Sequence, residues 1–149
     1  MYNKKIKMAN KYELKKILVA FAGPFINIIM ITLFSSFNIF SEISQNMIYA
    51  NILIASFNLL PIYPLDGGRI LKGILYIKFG NWKSKKYINE ISIIFMIILT
   101  AIASVGIYYF KNLAILFIIL YLWGVVIRED MRYRKELNIY NLIKTIENN

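Results

Sequence analysis

One stretch interrupts an otherwise apolar chain: it reads NLLPIYPLDGGR and covers residues 58–69. Pro61 and Pro64 remove backbone donors and cannot both lie in a regular helix. Gly67 and Gly68 add access to positive φ angles. We therefore predict that the backbone leaves helical geometry here, which places Asp66 on a broken helix.

The chain around this stretch has the composition of a membrane protein. Its 149 residues are 58% hydrophobic and 17% charged, whereas soluble domains are about 45–50% apolar and about a quarter charged. About 20 helical residues cross a bilayer core. Helices buried in a soluble protein are the alternative, but they normally carry a polar face. We predict an all-α polytopic membrane protein of about four transmembrane helices, the second ending in the broken Pro/Gly-rich segment: residues 17–40, 43–65, 91–110 and the shorter 113–127.

The charges predict how these helices are oriented. The net charge is +10, and all but one of the 18 basic residues precede the first span, separate the second from the third, or follow the fourth. Lys111 is the exception. Basic loops remain in the cytoplasm, so both termini and the central loop are predicted to be cytoplasmic. The basic residues also favour contact with anionic lipid headgroups, and their position beside spans argues against nucleic acid.

Two residue types are missing, and their absence excludes several kinds of site. Without cysteine the chain has no disulfide framework and no thiolate zinc site, and without histidine it has no imidazole base or imidazole metal ligand. Catalysis would have to use carboxylates, lysine, tyrosine or hydroxyls, or groups from another chain.

Asp66 has two interpretations that its local sequence leaves open. Asp-Gly is a common turn pair, so the second span could end at Pro61 or Pro64 and expose Asp66 in a turn. An ionisable side chain on a broken helix at membrane depth instead indicates function. Composition alone favours the turn, because Pro and Gly often mark the ends of helices, whereas the density of Asn, Pro, Asp and Gly within this stretch argues against it.

A second motif lies in the first span, where Gly23 and Pro24 are followed by Asn27. Proline kinks a helix, glycine permits a close neighbour, and Asn27 can form a hydrogen bond across helices. Taken alone, the motif indicates helix packing.

Together the two motifs resemble those of the site-2 protease family of intramembrane zinc metalloproteases (peptidase M50). The match is closest to the sporulation branch, the stage IV sporulation protein FB type that processes a pro-sigma factor. The resemblance covers roughly residues 12–127. It implies a zinc-dependent metalloendopeptidase that acts on a membrane-tethered protein substrate, with possible regulatory partners in the membrane.

The resemblance also implies roles for individual residues. Asp66 would be a zinc ligand, and Asn58 would contact substrate or shape the loop. The bend would be held by Pro61, Pro64, Gly67 and Gly68. In the family a His-Glu-x-x-His helix supplies two further zinc ligands and the general base, and three protein ligands are what catalytic zinc requires.

This chain departs from the family at that helix, because it contains no histidine. Three explanations stay open: truncation before the Gly-Pro helix, a non-catalytic binding or scaffold protein derived from the family, or a half-enzyme completed by another chain. We favour truncation because the Asp66 motif is intact. Residues 1–127 would then be the C-terminal part of a protease-like membrane domain, and residues 128–149 a cytoplasmic juxtamembrane tail. We expect no catalytic residue in this chain, and neither tight zinc binding nor cleavage by it alone.

Overall fold

The fold, taken from a computed structural model, is described for residues 2–36 and 41–147. These residues form an all-helical structure without strands, which confirms the predicted fold class for the described part of the chain. The helices are α1 (Tyr2–Ser36), α2 (Ser41–Asn58), α3 (Asp66–Phe79), α4 (Asn81–Phe110) and α5 (Ala114–Glu147).

Two segments of these helices are long and apolar enough to cross a membrane, Met8–Ser36 and Asn81–Phe110. The first contains residues 17–36 of the first predicted span, whose residues 37–40 lie outside the described residues, and the second contains the whole third predicted span. The second and fourth predicted spans correspond to α2 with the loop after it and to the first part of α5. The total of four spans and the cytoplasmic position of both termini stay predictions.

The helices pack in sequence around the loop that joins α2 to α3. Helix α1 contacts α2 and α3, α3 contacts α4, and α4 contacts α5. The buried core consists of Ile62 from the loop, Met96 from α4, and Leu122 and Val126 from α5. Full burial of such a side chain stabilises a fold by about 1.5–3 kcal/mol. The loop is therefore a part of the core.

Many large apolar side chains point away from this core. On α1, Leu18 and Val19 are 69% and 72% exposed. A large exposed apolar surface marks a membrane or partner contact in a protein of this composition. The outward faces of the helices thus fit lipid as their surroundings.

Helix α5 continues without a break beyond the fourth predicted span. The predicted boundary between residues 127 and 128 lies inside it. Polar contacts hold this continuation against α4: Lys85 forms an ion pair with Glu136, and the Asn89 amide donates to Asp130 Oδ1 over 2.6 Å. The described part of the predicted tail, residues 128–147, therefore continues helix α5 and is not a separate element.

Candidate functional site

The site is built on the seven-residue loop between α2 and α3. Helix α2 ends at Asn58, and α3 begins at Asp66. The peptide bond between Tyr63 and Pro64 is cis. Within the loop, Leu65 N–H donates to the Ile62 carbonyl over 2.8 Å. Arg69 N–H donates to the Leu65 carbonyl over 2.9 Å, which joins the loop to α3.

Gly67 and Gly68 do not provide the positive φ angles that the sequence predicted; they allow a close backbone contact. Both lie in the first turn of α3 and are buried, and neither has a positive φ; among the described glycines that conformation belongs to Gly80. A Cβ at Gly67 would lie 2.2 Å from the Leu59 carbonyl oxygen, and one at Gly68 would lie 2.4 Å from the Ile62 carbonyl carbon. The glycines are thus needed because the loop backbone crosses directly over the start of α3.

The Asp66 carboxylate lies against the Gly-Pro motif of α1. A Cβ at Gly23 would be 2.5 Å from Asp66 Oδ2, and a Cβ at Gly73, two turns further along α3, would be 2.5 Å from Ile17 Cγ1. Helices α1 and α3 therefore run antiparallel in close contact over about 10 Å, given a rise of about 1.5 Å per residue. The structure brings the two sequence motifs together.

The contact with Gly23 shows how far Asp66 lies along the uncharged stretch of α1. Gly23 lies six residues into the uncharged stretch that begins at Ile17, which is about 9 Å of helix. The interpretation of Asp66 as an exposed turn is wrong, since its side chain is 23% exposed and it begins a helix. Its closest basic atom among the described ion pairs is Arg69 Nη1, 4.0 Å from Oδ1. The carboxylate is half-buried and only loosely paired.

A serine on α4 fixes the other side of the loop. Tyr63 N–H donates to Ser92 Oγ over 2.9 Å, and the same hydroxyl donates to the Ile88 carbonyl over 2.7 Å. Ser92 is 2% exposed, so its hydroxyl satisfies a loop donor that water cannot reach. The loop is held between α1 and α4.

The other predicted site residues surround this arrangement with different degrees of burial. Asn58, Pro61 and Pro64 are half-buried, and Pro24 is buried inside α1. Asn27 is half-buried one turn beyond Gly23, and within residues 2–36 and 41–147 no hydrogen bond joins its side chain to another helix. The hydrogen bond that its sequence position suggested is therefore not formed in the described part.

Three further residues shape the site and were not predicted to do so from the sequence. Gly73 and Ser92 make the contacts given above, and Lys72 Nζ lies 3.9 Å from the centre of the Tyr63 ring. The spacing of seven between Asp66 and Gly73 places both on one helical face, and this signal could have identified Gly73. Ser92 has no comparable signal, because serine in a membrane helix is common.

The described residues do not fit a complete catalytic zinc site. No three acidic, histidine or cysteine side chains cluster within residues 2–36 and 41–147, and catalytic zinc takes three protein ligands. Asp66 can offer one carboxylate. Asp66 could therefore supply one metal ligand at the start of α3, which is fewer than the three that catalytic zinc takes.

Comparisons with known proteins agree with the motif that contains Asp66. Residues 35–99 match the model of Peptidase family M50; this match includes the α2–α3 loop and less than half of the chain. Over 75 residues the chain is 36% identical to a zinc metalloprotease of Methanocaldococcus jannaschii, an alignment that covers 46% of this chain and 22% of that relative. The chain thus spans about a fifth of the relative's length. No solved structure matches.

These similarities support a site-2-type protease family for the region around Asp66. The family match begins at residue 35, so Gly23 and Asn27 lie outside it. Their connection to the site comes from the packing of α1 on α3.

Proposed function

We propose that this chain is the Asp66-bearing part of a site-2-type intramembrane zinc metalloprotease, and that Asp66 supplies one ligand to the metal. One observation carries the proposal: the Asp66 carboxylate packs against Gly23, deep along an apolar helix long enough to span a membrane. Both residues belong to the motifs whose resemblance suggested the family.

The surroundings of Asp66 support a ligand role over a purely structural one. A carboxylate at membrane depth is costly and needs a partner. Its cation neighbour, Arg69, is 4.0 Å away and 55% exposed, so this pairing is too weak to explain the position. The glycines beneath and beside Asp66 hold the helix start rigidly, which is how a metal ligand must be held.

The remaining zinc ligands would come from residues other than these 149. Because the described residues present one suitable carboxylate and the sequence has no histidine, we propose that the chain alone neither binds zinc tightly nor cleaves peptide bonds. A finer assignment rests on the sequence resemblance alone. It includes the sporulation branch and a membrane-tethered protein substrate. The proposed multi-pass topology with cytoplasmic termini rests instead on the apolar stretches and on the placement of the basic residues.

Zinc stoichiometry tests this proposal. The chain is purified in detergent, alone and co-expressed with a separate membrane segment that carries a His-Glu-x-x-His helix, and bound zinc is measured by mass spectrometry. We expect substoichiometric zinc for the chain alone and about one zinc per complex after co-expression. Asp66→Asn should remove that zinc, whereas Glu90→Gln, an exposed carboxylate on α4, should leave it.

Two outcomes would contradict the proposal. One equivalent of zinc in the chain alone that is lost in Asp66→Ala would show that the chain completes a site by itself. Formation of the complex without any Asp66-dependent zinc would instead favour the second function, a non-catalytic binding or scaffold protein. Such a protein should retain a membrane partner in Asp66→Ala and lose it when Asn27 is replaced.

A further inference from the structure

A groove of about 670 Å³ opens between α1, α3 and the start of α4. Five basic side chains line it, and they define what we call the basic groove: Lys15, Lys16, Arg69, Lys72 and Lys85. The hydroxyl-bearing rings of Tyr12, Tyr63 and Tyr76 line it as well. The groove therefore combines cations with hydrogen-bond donors.

The positive charge of the basic groove is only partly compensated. Its single lining carboxylate, Glu13, lies 2.8 Å from Lys16, and Lys85 is paired with Glu136. Among residues 2–36 and 41–147, no carboxylate forms an ion pair with Lys15 or Lys72, and Arg69 has only the 4.0 Å contact with Asp66. Three cations are thus available to one ligand.

Their arrangement suits a phosphate group. Phosphate oxygens accept charge-assisted hydrogen bonds from lysine and arginine, and tyrosine hydroxyls can donate further bonds. The Tyr63 ring holds the Lys72 ammonium in place at 3.9 Å, so one of the cations is oriented before a ligand arrives. A carboxylate ligand would use the same donors with fewer acceptor oxygens.

The remainder of the groove surface indicates that the phosphate belongs to a lipid. Val19 and Ala20 line the groove beside the cations, and Val19 is 72% exposed on the outward apolar face of α1. A ligand in this place meets cations and, beside them, an apolar, lipid-facing surface. An anionic phospholipid has this division, whereas an acidic peptide would lay polar backbone against Val19.

We propose that the basic groove binds the phosphate of an anionic phospholipid, with Lys15, Arg69 and Lys72 as the main contacts. The position of the groove at the boundary between the basic and apolar parts of α1 agrees with headgroup sites between membrane helices. The proposal does not depend on zinc ligation by Asp66, and its test uses the chain without metal.

Lipid binding is measured on the detergent-purified chain by the thermal shift of tryptophan fluorescence and by native mass spectrometry of lipid adducts. The probes are phosphatidylglycerol, phosphatidylcholine, inorganic phosphate and a short polyglutamate peptide. We expect phosphatidylglycerol alone to stabilise the protein and to remain bound. Each cation near a headgroup contributes about a fivefold gain in affinity, so Lys72→Gln should lower the affinity about fivefold and Arg69→Gln with Lys72→Gln roughly 25-fold.

Matched variants separate a defined site from diffuse charge. Lys83→Gln removes the same charge from an exposed position that does not line the groove, and it should leave lipid affinity unchanged. Lys15→Gln acts on the α1 wall and should weaken binding about fivefold if the α3 variants do not fold. Equal loss in Lys83→Gln, or no preference over phosphatidylcholine, would overturn the site. Stabilisation by phosphate or polyglutamate without lipid would overturn the lipid assignment.

Discussion

The two ends of the molecule are held together by different contacts. In the N-terminal region, which consists of α1, the loop of residues 59–65 and α3, four glycines leave no room for a Cβ. The loop backbone lies against Gly67 and Gly68, and side chains lie against Gly23 and Gly73. In the C-terminal region, α4 and α5, the contacts are interlocked side chains such as Met96 against Val126. A Cβ at Gly124 of α5 would meet nothing within 4 Å among the described residues.

This difference indicates which region holds its backbone in a more precisely defined position. Backbone atoms in contact cannot rearrange as side chains do, so the contacts of the loop backbone with Gly67 and Gly68 fix the start of α3, the helix that carries Asp66. Side-chain packing in the C-terminal region can adapt to a substitution. We infer that the N-terminal region carries the site and that the C-terminal region supports it through Ser92.

The largest effect should come from Gly68→Ala. Its Cβ would lie 2.4 Å from both the Ile62 carbonyl carbon and the Tyr63 nitrogen, and neither backbone atom can move without breaking the loop. We expect a loss of about 3 kcal/mol in the free energy of unfolding, measured in mixed detergent micelles. Gly124→Ala is the control and should gain up to about 1 kcal/mol from helix propensity. Equal losses in both variants would remove the contrast between the regions.

Ser92→Ala should have the second-largest effect, since it cuts the hydrogen bond between the two regions. The Tyr63 N–H would lose its acceptor, and an unsatisfied buried donor costs about 1–3 kcal/mol. The same unfolding measurement tests this. In Ser104→Ala the lost bond goes to Ala101 in the same exposed turn, so the change should stay within about 0.5 kcal/mol. A small effect at Ser92 would show that the loop needs no support from α4.

Gly23→Ala should cost less stability but should alter the site. The new Cβ would approach Asp66 Oδ2 to 2.5 Å, and that flexible end can rotate away, so we expect a loss of about 1 kcal/mol. Asp66-dependent zinc in the co-expressed complex should nevertheless fall. Gly106→Ala, whose Cβ would be 3.8 Å from Ile115 Cδ1, should leave the zinc unchanged and, like Gly124→Ala, gain up to about 1 kcal/mol from helix propensity. Unchanged zinc in Gly23→Ala would show that α1 does not position Asp66.

The smallest effect should come from the ion pair that joins α5 to α4. The hydrogen bond from Lys85 lowers the pKa of the Glu136 carboxyl below its ordinary value. A lowered folded-state pKa adds stability above the unfolded pKa of about 4.3, and that stability is lost as pH falls through the folded pKa. Because the pair is partly exposed, its contribution should be under about 1 kcal/mol.

The measurement compares the thermal unfolding of the wild-type chain with that of Glu136→Gln. The variant should be slightly less stable at about pH 7. The difference should shrink as the pH falls below the unfolded pKa of about 4.3 and disappear below the lowered folded-state pKa of Glu136. Glu90→Gln, which removes a loose exposed pair with Lys86, should show no such dependence. A difference that grows as pH falls would give the pair the opposite sign and contradict its role.

Much of the site could be predicted from sequence because its residues are conspicuous. Proline and aspartate are rare in apolar helical stretches, because proline disrupts the helix and a buried carboxylate is energetically unfavourable. Pro61, Pro64 and Asp66 can therefore be recognised from the sequence. The purpose of Gly67 and Gly68 was not predictable, since glycine serves positive φ and close contact equally well. The pairing of Asp66 with Gly23 was also hidden, because the two residues are separated by the whole of α2.

The sequence by itself determined that these 149 residues are helical and apolar and supply no histidine or cysteine side chain. These properties depend on composition and on local backbone preferences, which act along the chain. Only the tertiary structure decided that Asp66 faces α1, that the loop backbone lies over Gly67 and Gly68, and that the cations of α1 and α3 line one groove. Each of these depends on how distant helices pack, and hydrophobic burial drives that packing without specifying partners in the sequence.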